Sequence, residues 1–243
     1  MSRTDVFSIV AGIVLCLVGS VSVASGSISV DPVRLKLSAD HPVTSVTVSN
    51  SGEKDIVILT EATAWTQSKG QNKHTPTTEL LADPQIFTLS PGATQIVQLD
   101  LNREPDTERE LSYRLFFEEV PPPPEPDFQG LRVALRIGVP VFVKPTAPAT
   151  PNLNWRISRA APAIVRIVAA NIGNAHIHIN RLKLLSEREQ ILAGTTVSTT
   201  LLANRQHAWV VKLDHSFGNG EVRLLAETDE GRIDTGFIAV QPR

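Results

Sequence analysis

The sequence lacks the residues that usually cross-link small secreted domains or carry reactive chemistry. Its 243 residues include one cysteine, Cys16, which lies in the first apolar segment, so the rest of the chain can form no disulfide. Lysine and arginine are scattered and the formal net charge is −2, which argues against the clustered basic face of a nucleic-acid-binding protein. No helical periodicity is sustained. The chain must therefore fold by burying apolar surface, and its elements are expected to be strands.

The first 26 residues have the layout of a secretory signal peptide. Arg3 precedes an apolar run over residues 6–18, and small residues follow it, which predicts cleavage after Ala24 or Gly26. The run is shorter than the roughly 18 to 20 residues that span a bilayer, which argues against the alternative of a retained membrane anchor. Leu15 stands before Cys16 where a lipoprotein signal has a small residue. We therefore predict a secreted mature chain without cysteine or lipid.

Short segments of alternating polar and apolar residues recur along the chain and predict an all-β fold. In the first half they cover residues 28–37, 43–49, 55–65, 85–89, 94–101, 111–120 and 131–143. Seven strands of this size indicate an immunoglobulin-like sandwich. Between them, Pro91 and Gly92 suit the two central positions of a type II turn.

A proline-rich connection divides the chain. Residues 144–151 contain three prolines, which stiffen a linker and cannot donate hydrogen bonds inside a sheet. Alternating segments then resume at residues 154–157, 163–171, 176–185, 205–213, 221–228 and 232–240. We predict a first, immunoglobulin-like domain at 27–145 and a second, smaller all-β domain, a β-sandwich, at 146–243.

The last predicted strand of the first domain, residues 131–143, is unusually long. Its apolar face consists of Leu131, Val133, Leu135, Ile137, Val139, Val141 and Val143, and a proline-rich loop at 121–126 introduces it. The opposite face carries Arg132, Ala134, Arg136, Gly138 and Lys144. Two interpretations stay open: the strand fills its own domain core, or it is displayed to complete the sheet of another protein.

Motifs of catalysis and cofactor binding are missing. The sequence has no G-x-S-x-G elbow, no phosphate-binding loop and no H-E-x-x-H motif. His176 and His178 alternate on one strand, but no third ligand stands at a spacing that completes a metal site. Glu118 and Glu119 are adjacent and point to opposite faces of a strand, which disfavours an acid–base pair. We predict a protein that is not an enzyme and needs neither a metal nor another cofactor.

Four stretches together resemble the periplasmic chaperones of the chaperone-usher pilus pathway. They are residues 29–34 (SVDPVR), 87–92 (FTLSPG), 113–121 (YRLFFEEVP) and 131–145, which end in VPVFVKP. The resemblance covers nearly all of the mature chain. It implies two immunoglobulin-like domains set in an L, and a periplasmic location without membrane insertion after the signal is removed. It also implies a pilus subunit, or pilin, and an outer-membrane usher as partners.

The family's mechanism assigns roles to several residues. Its chaperones lend alternating apolar side chains of the last strand to a subunit that lacks a strand, which is called donor-strand complementation. The matching positions in this sequence are Leu131, Val133, Leu135 and Ile137. Such an exposed strand is prone to self-association when it is unbound.

In the family, two basic residues hold the C-terminal carboxylate of the subunit. Arg34 matches the first, but Pro140 stands where the family's main branch has a lysine. Arg114 is our first choice for the missing cation and Arg136 the second, because a guanidinium can bind a carboxylate bidentately. The alternative is that Arg114 is an ordinary solvated strand residue. The missing lysine, the proline-rich loop and the lack of a cysteine pair are typical of the archaic branch of the family.

The resemblance also implies an interdomain charge cluster, which Glu119, Lys144 and Asp214 match. A partly solvated cluster of this kind fixes domain orientation more than it adds stability.

Two other functional classes compete with the chaperone interpretation: a secreted all-β adhesin or pilus subunit, and a β-sandwich hydrolase. Subunits usually carry their extended donor segment at the N-terminus, whereas here the long apolar alternation ends a first domain. A hydrolase would need a nucleophile or metal set that the sequence does not show.

Overall fold

A computed structural model describes residues 28–123, 133–215 and 220–242. In these ranges the chain is all-β, as the sequence predicts, with seventeen strands. None of these residues belongs to a helix long and apolar enough to cross a membrane. The strands are β1 (Ile28–Asp31), β2 (Leu35–Leu37), β3 (Val43–Asn50), β4 (Ile56–Ser68), β5 (Gln71–Pro76), β6 (Leu80–Asp83), β7 (Ile86–Leu89), β8 (Thr94–Leu101), β9 (Leu111–Val120), β10 (Arg136–Val143), β11 (Leu153–Ala161), β12 (Ile164–Asn171), β13 (Ile177–Ser186), β14 (Ile191–Leu201), β15 (Arg205–Lys212), β16 (Glu221–Thr228) and β17 (Gly231–Ala239).

The first ten strands form a sandwich of two sheets. One sheet has the order β1-β3-β8-β6, and the other has the order β2-β10-β9-β4-β5, with β7 also paired to β4. Alternate residues of the facing strands point inward and bury a common core. Its fully buried members include Val48, Ile58, Val97, Leu99, Leu115, Phe117, Val141 and Val143.

The first predicted strand is in fact two strands. β1 pairs antiparallel with β3 in one sheet, whereas β2 pairs parallel with β10 in the other. Pro32 lies between them and has no amide hydrogen for a ladder, so the chain leaves the first sheet there and enters the second. The prediction of a continuous strand over 28–37 is therefore wrong.

The remaining strands form a second sandwich, with sheets ordered β11-β12-β15 and β14-β13-β16-β17. In the described part of the chain, no strand pairing crosses Pro145, the last residue of the predicted first domain. β14 lies outside the predicted segments, because its residues ILAGTTVSTTL are mainly small or hydroxylated and show little apolar alternation. β5, which is polar and almost wholly exposed, and the four-residue strand β6 also lie outside them.

β10 begins at Arg136 rather than at residue 131, so the predicted thirteen-residue strand is too long. Its partner β9 ends at Val120, and Pro121 follows. Continuing the β9–β10 register would place Val133 opposite Pro121, which has no amide hydrogen to donate. Pairing with β9 is therefore lost at the point where the proline-rich loop begins. Leu131 and Arg132 lie outside the described residues.

Candidate functional site on strand β10 and the interdomain face

Strand β10 is paired along one edge and half open along the other. It pairs with β9 over its whole length, but with β2 only from Val141 to Val143. The Leu135 carbonyl accepts a hydrogen bond from the Glu119 amide on the β9 side. Because backbone groups alternate along a strand, those of Arg136 and Gly138 point to the open edge. This edge can accept a further strand.

Burial of the apolar row decreases along β10 toward its start. Val141 and Val143 have no exposed surface, whereas Leu135 and Ile137 are only partly buried against the first core. Val133 is 69 % exposed and belongs to no strand. Of the four predicted donor residues, one is thus exposed, two pack partly on their own domain, and Leu131 lies outside the described residues.

Arg114 lies on the sheet face that points away from the core, in one row with Thr63 and Pro140 on the neighbouring strands. Its guanidinium carbon stands 4.7 Å from the centre of the Trp65 ring. Its Nε is buried without a hydrogen-bond partner, and burial lowers the pKa of the guanidinium. In the described part of the chain no carboxylate forms an ion pair with it. Arg114 is therefore a desolvated cation with unused hydrogen-bonding capacity.

Gly138 makes room for this arrangement. A Cβ atom at this position would lie 2.9 Å from Cε1 of Phe116 and 3.1 Å from Nε of Arg114. Because Gly138 has no side chain, the Phe116 ring and the Arg114 side chain, both from β9, can extend over β10. The glycine interrupts the outward face of the predicted strand, and this is the sequence signal that could have marked the site.

Arg34, the other predicted anchor, immediately precedes β2. Continuing the parallel β2–β10 register by one residue places it beside Pro140, on the opposite side from Arg114. It forms an ion pair with Asp229 of the second sandwich. Burial raises the pKa of Asp229, but hydrogen bonds from the His178 amide and Arg34 outweigh it and lower the pKa. Arg34 is thus already paired with a carboxylate.

Arg136, the third candidate, is neutralised on its own sheet. Its Nη2 lies 3.2 Å from Oε2 of Glu61 and its Nε lies 3.0 Å from Oε2 of Glu118. Its guanidinium carbon also lies 4.0 Å from the centre of the Phe116 ring. Two carboxylates compete with any external anion for this residue.

The three residues of the predicted interdomain charge cluster have different environments. Glu119 accepts a hydrogen bond from the Leu135 amide, whereas the Lys144 and Asp214 side chains are exposed. The backbone amide of Asp214 bonds to the Leu192 carbonyl within the second sandwich. In the described ranges no ion pair joins any two of the three.

Other residues hold the two sandwiches together. His176 Nδ1 lies 2.6 Å from Oε1 of Glu110, and the His176 ring stacks on Phe142 with centroids 3.4 Å apart. Gln67 donates to the Thr200 carbonyl and accepts from the Leu202 amide, and Trp65, Phe142 and Leu202 form a buried cluster. The interface is therefore built by β4 of the long β4–β5 hairpin together with Glu110 and Phe142.

The two histidines considered as metal ligands have other partners. Glu110 engages His176, and Nδ1 of His178 lies 2.9 Å from the Thr200 hydroxyl. Within the described ranges no three histidine, cysteine or acidic side chains are grouped so that they could hold a metal ion.

Fold and site together define a class: two linked β-sandwiches, the first ending in a strand whose apolar row continues beyond its own core. Residues 27–149 match the family described as pili and flagellar-assembly chaperone, PapD N-terminal domain. This chain belongs to that family. A search of curated proteins finds no match.

Solved structures of chaperone-usher proteins share the fold. One is the archaic CsuC–CsuE chaperone–tip adhesion subunit complex of Acinetobacter baumannii, with TM-score 0.64, 17 % identity and coverage of 89 % of this chain and 99 % of that one. A second is the Salmonella enterica SafA pilin–SafB chaperone complex, with TM-score 0.58, 15 % identity and coverage of 88 % and 96 %. A third is the Pseudomonas aeruginosa CupB2 chaperone, with TM-score 0.56, 15 % identity and coverage of 87 % and 100 %.

Proposed function

We propose that this protein is a periplasmic chaperone that captures a pilus subunit by donor-strand complementation and delivers it to an outer-membrane usher. The observation that carries the proposal is the burial gradient of one apolar row. Val139, Val141 and Val143 fill the protein's own core, whereas Val133 in the same alternating row is exposed. An ordinary sandwich strand would bury the whole row.

The donor segment consists of Leu131, Val133, Leu135 and Ile137, with Val133 as its exposed anchor. Burying one such side chain in a subunit groove stabilises the complex by roughly 1.5 to 3 kcal/mol before the costs of association. The open edge of β10 adds main-chain hydrogen bonds that fix the register of the added strand.

Arg114 is the principal anchor of the subunit's C-terminal carboxylate. It stands beside Pro140, where the family's main branch has lysine, and its charge has no carboxylate partner in the described part of the chain. Arg34 lies on the other side of Pro140 and shares its charge with Asp229. Arg136 is the weakest of the three candidates because two glutamates already neutralise it.

The predicted signal peptide and the family, whose chaperone-usher members act in the periplasm, support a periplasmic location. The missing lysine and the proline-rich loop support the archaic branch. The family and the structural relatives are chaperones, so this function requires no catalytic group and no cofactor.

The experiment is native purification of C-terminally tagged protein from the periplasm, followed by mass spectrometry of what accompanies it. We expect a stoichiometric small β-rich protein that is lost with Val133→Arg. Ile172→Arg is the matched control, because Ile172 is 59 % exposed and belongs to the second sandwich. A folded Val133→Arg variant that still captures its partner at normal yield would refute the donor assignment.

A further inference from the structure

A cleft separate from β10 lies where the tip of the β4–β5 hairpin meets the second sandwich. Its volume is about 660 Å³, within the range of small-ligand sites. The tip of the hairpin forms one wall, and the outer face of the β11-β12-β15 sheet forms the other. Its basic or polar lining includes Lys69, Arg156, Ser158, Arg166, Gln206 and His207.

The fold brings these residues together from distant parts of the sequence. Lys69 and Gly70 form the two-residue turn of the hairpin, with φ of 51° and 76°, as a tight hairpin turn requires. On the sheet, Arg166 of β12 pairs with Ser158 of β11. Arg156 lies two residues before Ser158 on the same strand, so its side chain shares the outer face.

The charges of this cleft are not balanced. No aspartate or glutamate lines it, and in the described part of the chain no ion pair uses Lys69, Arg156 or Arg166. By contrast, Arg103 is paired with Glu79 and Arg223 with Asp234. Three cations without a neighbouring carboxylate give this cleft a positive potential, which attracts anions.

His207 supplies a neutral polar group. Burial lowers the pKa of its ring, although a hydrogen bond to the Gly70 backbone raises it in part. The ring also packs against Trp209, with centroids 4.9 Å apart. The ring is therefore held in place between the hairpin and the sheet.

We propose that this cleft binds a phosphate group, either inorganic phosphate or the phosphate of an anionic lipid headgroup, and thereby links the β4–β5 hairpin to the second sandwich. The guanidinium groups of Arg156 and Arg166 match the oxygens of a tetrahedral anion, and Lys69 adds a point charge from the first sandwich. Because both sandwiches contribute, the ligand favours the domain arrangement that forms the cleft.

The test is calorimetric titration of the full mature chain with sodium phosphate at low ionic strength, with sodium chloride as the reference titrant. We expect saturable binding to one site that Arg156→Gln with Arg166→Gln weakens at least about tenfold. Lys69→Gln, on the other sandwich, should weaken it by a smaller factor. Arg181→Gln with Arg188→Gln is the matched control, because it also removes two positive charges from exposed positions of the second sandwich.

A second arm distinguishes the sources of the phosphate. The chain is sedimented with vesicles of phosphatidylcholine alone or with phosphatidylglycerol added. Binding to the anionic vesicles that the double substitution abolishes identifies a lipid headgroup, whereas phosphate binding without sedimentation identifies a soluble ligand. Absence of saturable phosphate binding, or equal binding by the double variant, would overturn the proposal.

Discussion

The two ends of strand β10 continue one sequence pattern and have opposite environments. At the C-terminal end, Val141 and Val143 are fully buried, and the strand is paired on both edges by β9 and β2. Just before the N-terminal end, Val133 is exposed and unpaired. Alternation specifies which residues share a face, but neighbouring strands decide whether that face is covered.

On the outward face of the sheet, charges are paired at the N-terminal end of β10 and unpaired toward its C-terminal end. At the N-terminal end, Arg136 is neutralised by Glu61 and Glu118. Toward the C-terminal end, the row of Pro140 contains Arg114, which has no such partner and is partly desolvated. The protein thus has an exposed apolar residue just before β10 and an unpaired cation on the neighbouring strand β9. This is the combination that an extended peptide with a terminal carboxylate requires.

The largest expected effect contrasts the two ends directly. Val141→Asp places an unpaired charge in the core, so we expect it to lower the free energy of unfolding by more than about 4 kcal/mol or to prevent folding. Val133→Asp should change it by less than about 0.5 kcal/mol. Chemical denaturation of both variants makes the measurement. Equal destabilisation would show that the two ends are buried alike.

The second prediction separates the two arginines. Arg114→Gln should weaken subunit binding by about 10- to 100-fold, because a hydrogen bond to a charged group is worth roughly 1.5 to 3 kcal/mol. Arg136→Gln is the control and should leave binding within about twofold, since its charge is already satisfied. The readout is the subunit affinity of each purified variant. Stronger loss with Arg136→Gln would reverse the assignment.

The third prediction tests the space that Gly138 leaves for the Phe116 and Arg114 side chains. Gly138→Ala should destabilise the fold by about 1 to 2 kcal/mol, because the new Cβ overlaps the Phe116 ring. Gly194→Ala on β14 is the matched control, because a Cβ atom there meets nothing within 4 Å. Thermal unfolding of the pair gives the comparison. A neutral Gly138→Ala would mean that Phe116 and Arg114 move aside without cost.

The smallest expected effect concerns His74, whose ring lies between those of Trp65 and Phe116. Burial, followed by the positive charges of Arg114 and Arg136, lowers its pKa below the ordinary value of 6.5. The unfolded chain then takes up a proton at a pH where the folded chain does not, so acid favours unfolding. We expect the free energy of unfolding to fall as pH drops below about 6.5, and His74→Gln to remove part of that fall.

Denaturant titrations over this pH range measure how steeply the free energy of unfolding falls with decreasing pH. His178 and His207 also have lowered pKa values, with burial as the first cause, so part of the slope should remain in the variant. If the free energy of unfolding of His74→Gln changes with pH as it does in the unsubstituted protein, His74 does not contribute to the pH dependence.

Local chemistry was predictable where it depends on a few adjacent residues. The type II turn at Pro91 and Gly92 is confirmed by a φ of 75° at Gly92 and by a hydrogen bond from the Ala93 amide to the Ser90 carbonyl. The strand over residues 94–101 is likewise observed as predicted. Both follow from residue-specific backbone preferences and from a period of two.

By itself the sequence determined the all-β class, the alternation that turns Val139, Val141 and Val143 inward, and the resemblance that led to the family. Only the tertiary structure decided where β10 begins, which arginine lacks a carboxylate, and that contacts such as Gln67 with Thr200 and Leu202, Glu110 with His176 and Arg34 with Asp229 join the sandwiches. The physical reason is that side-chain periodicity is a local property of the chain. Coverage, charge pairing and desolvation depend on residues that are distant in sequence and become neighbours only in the fold.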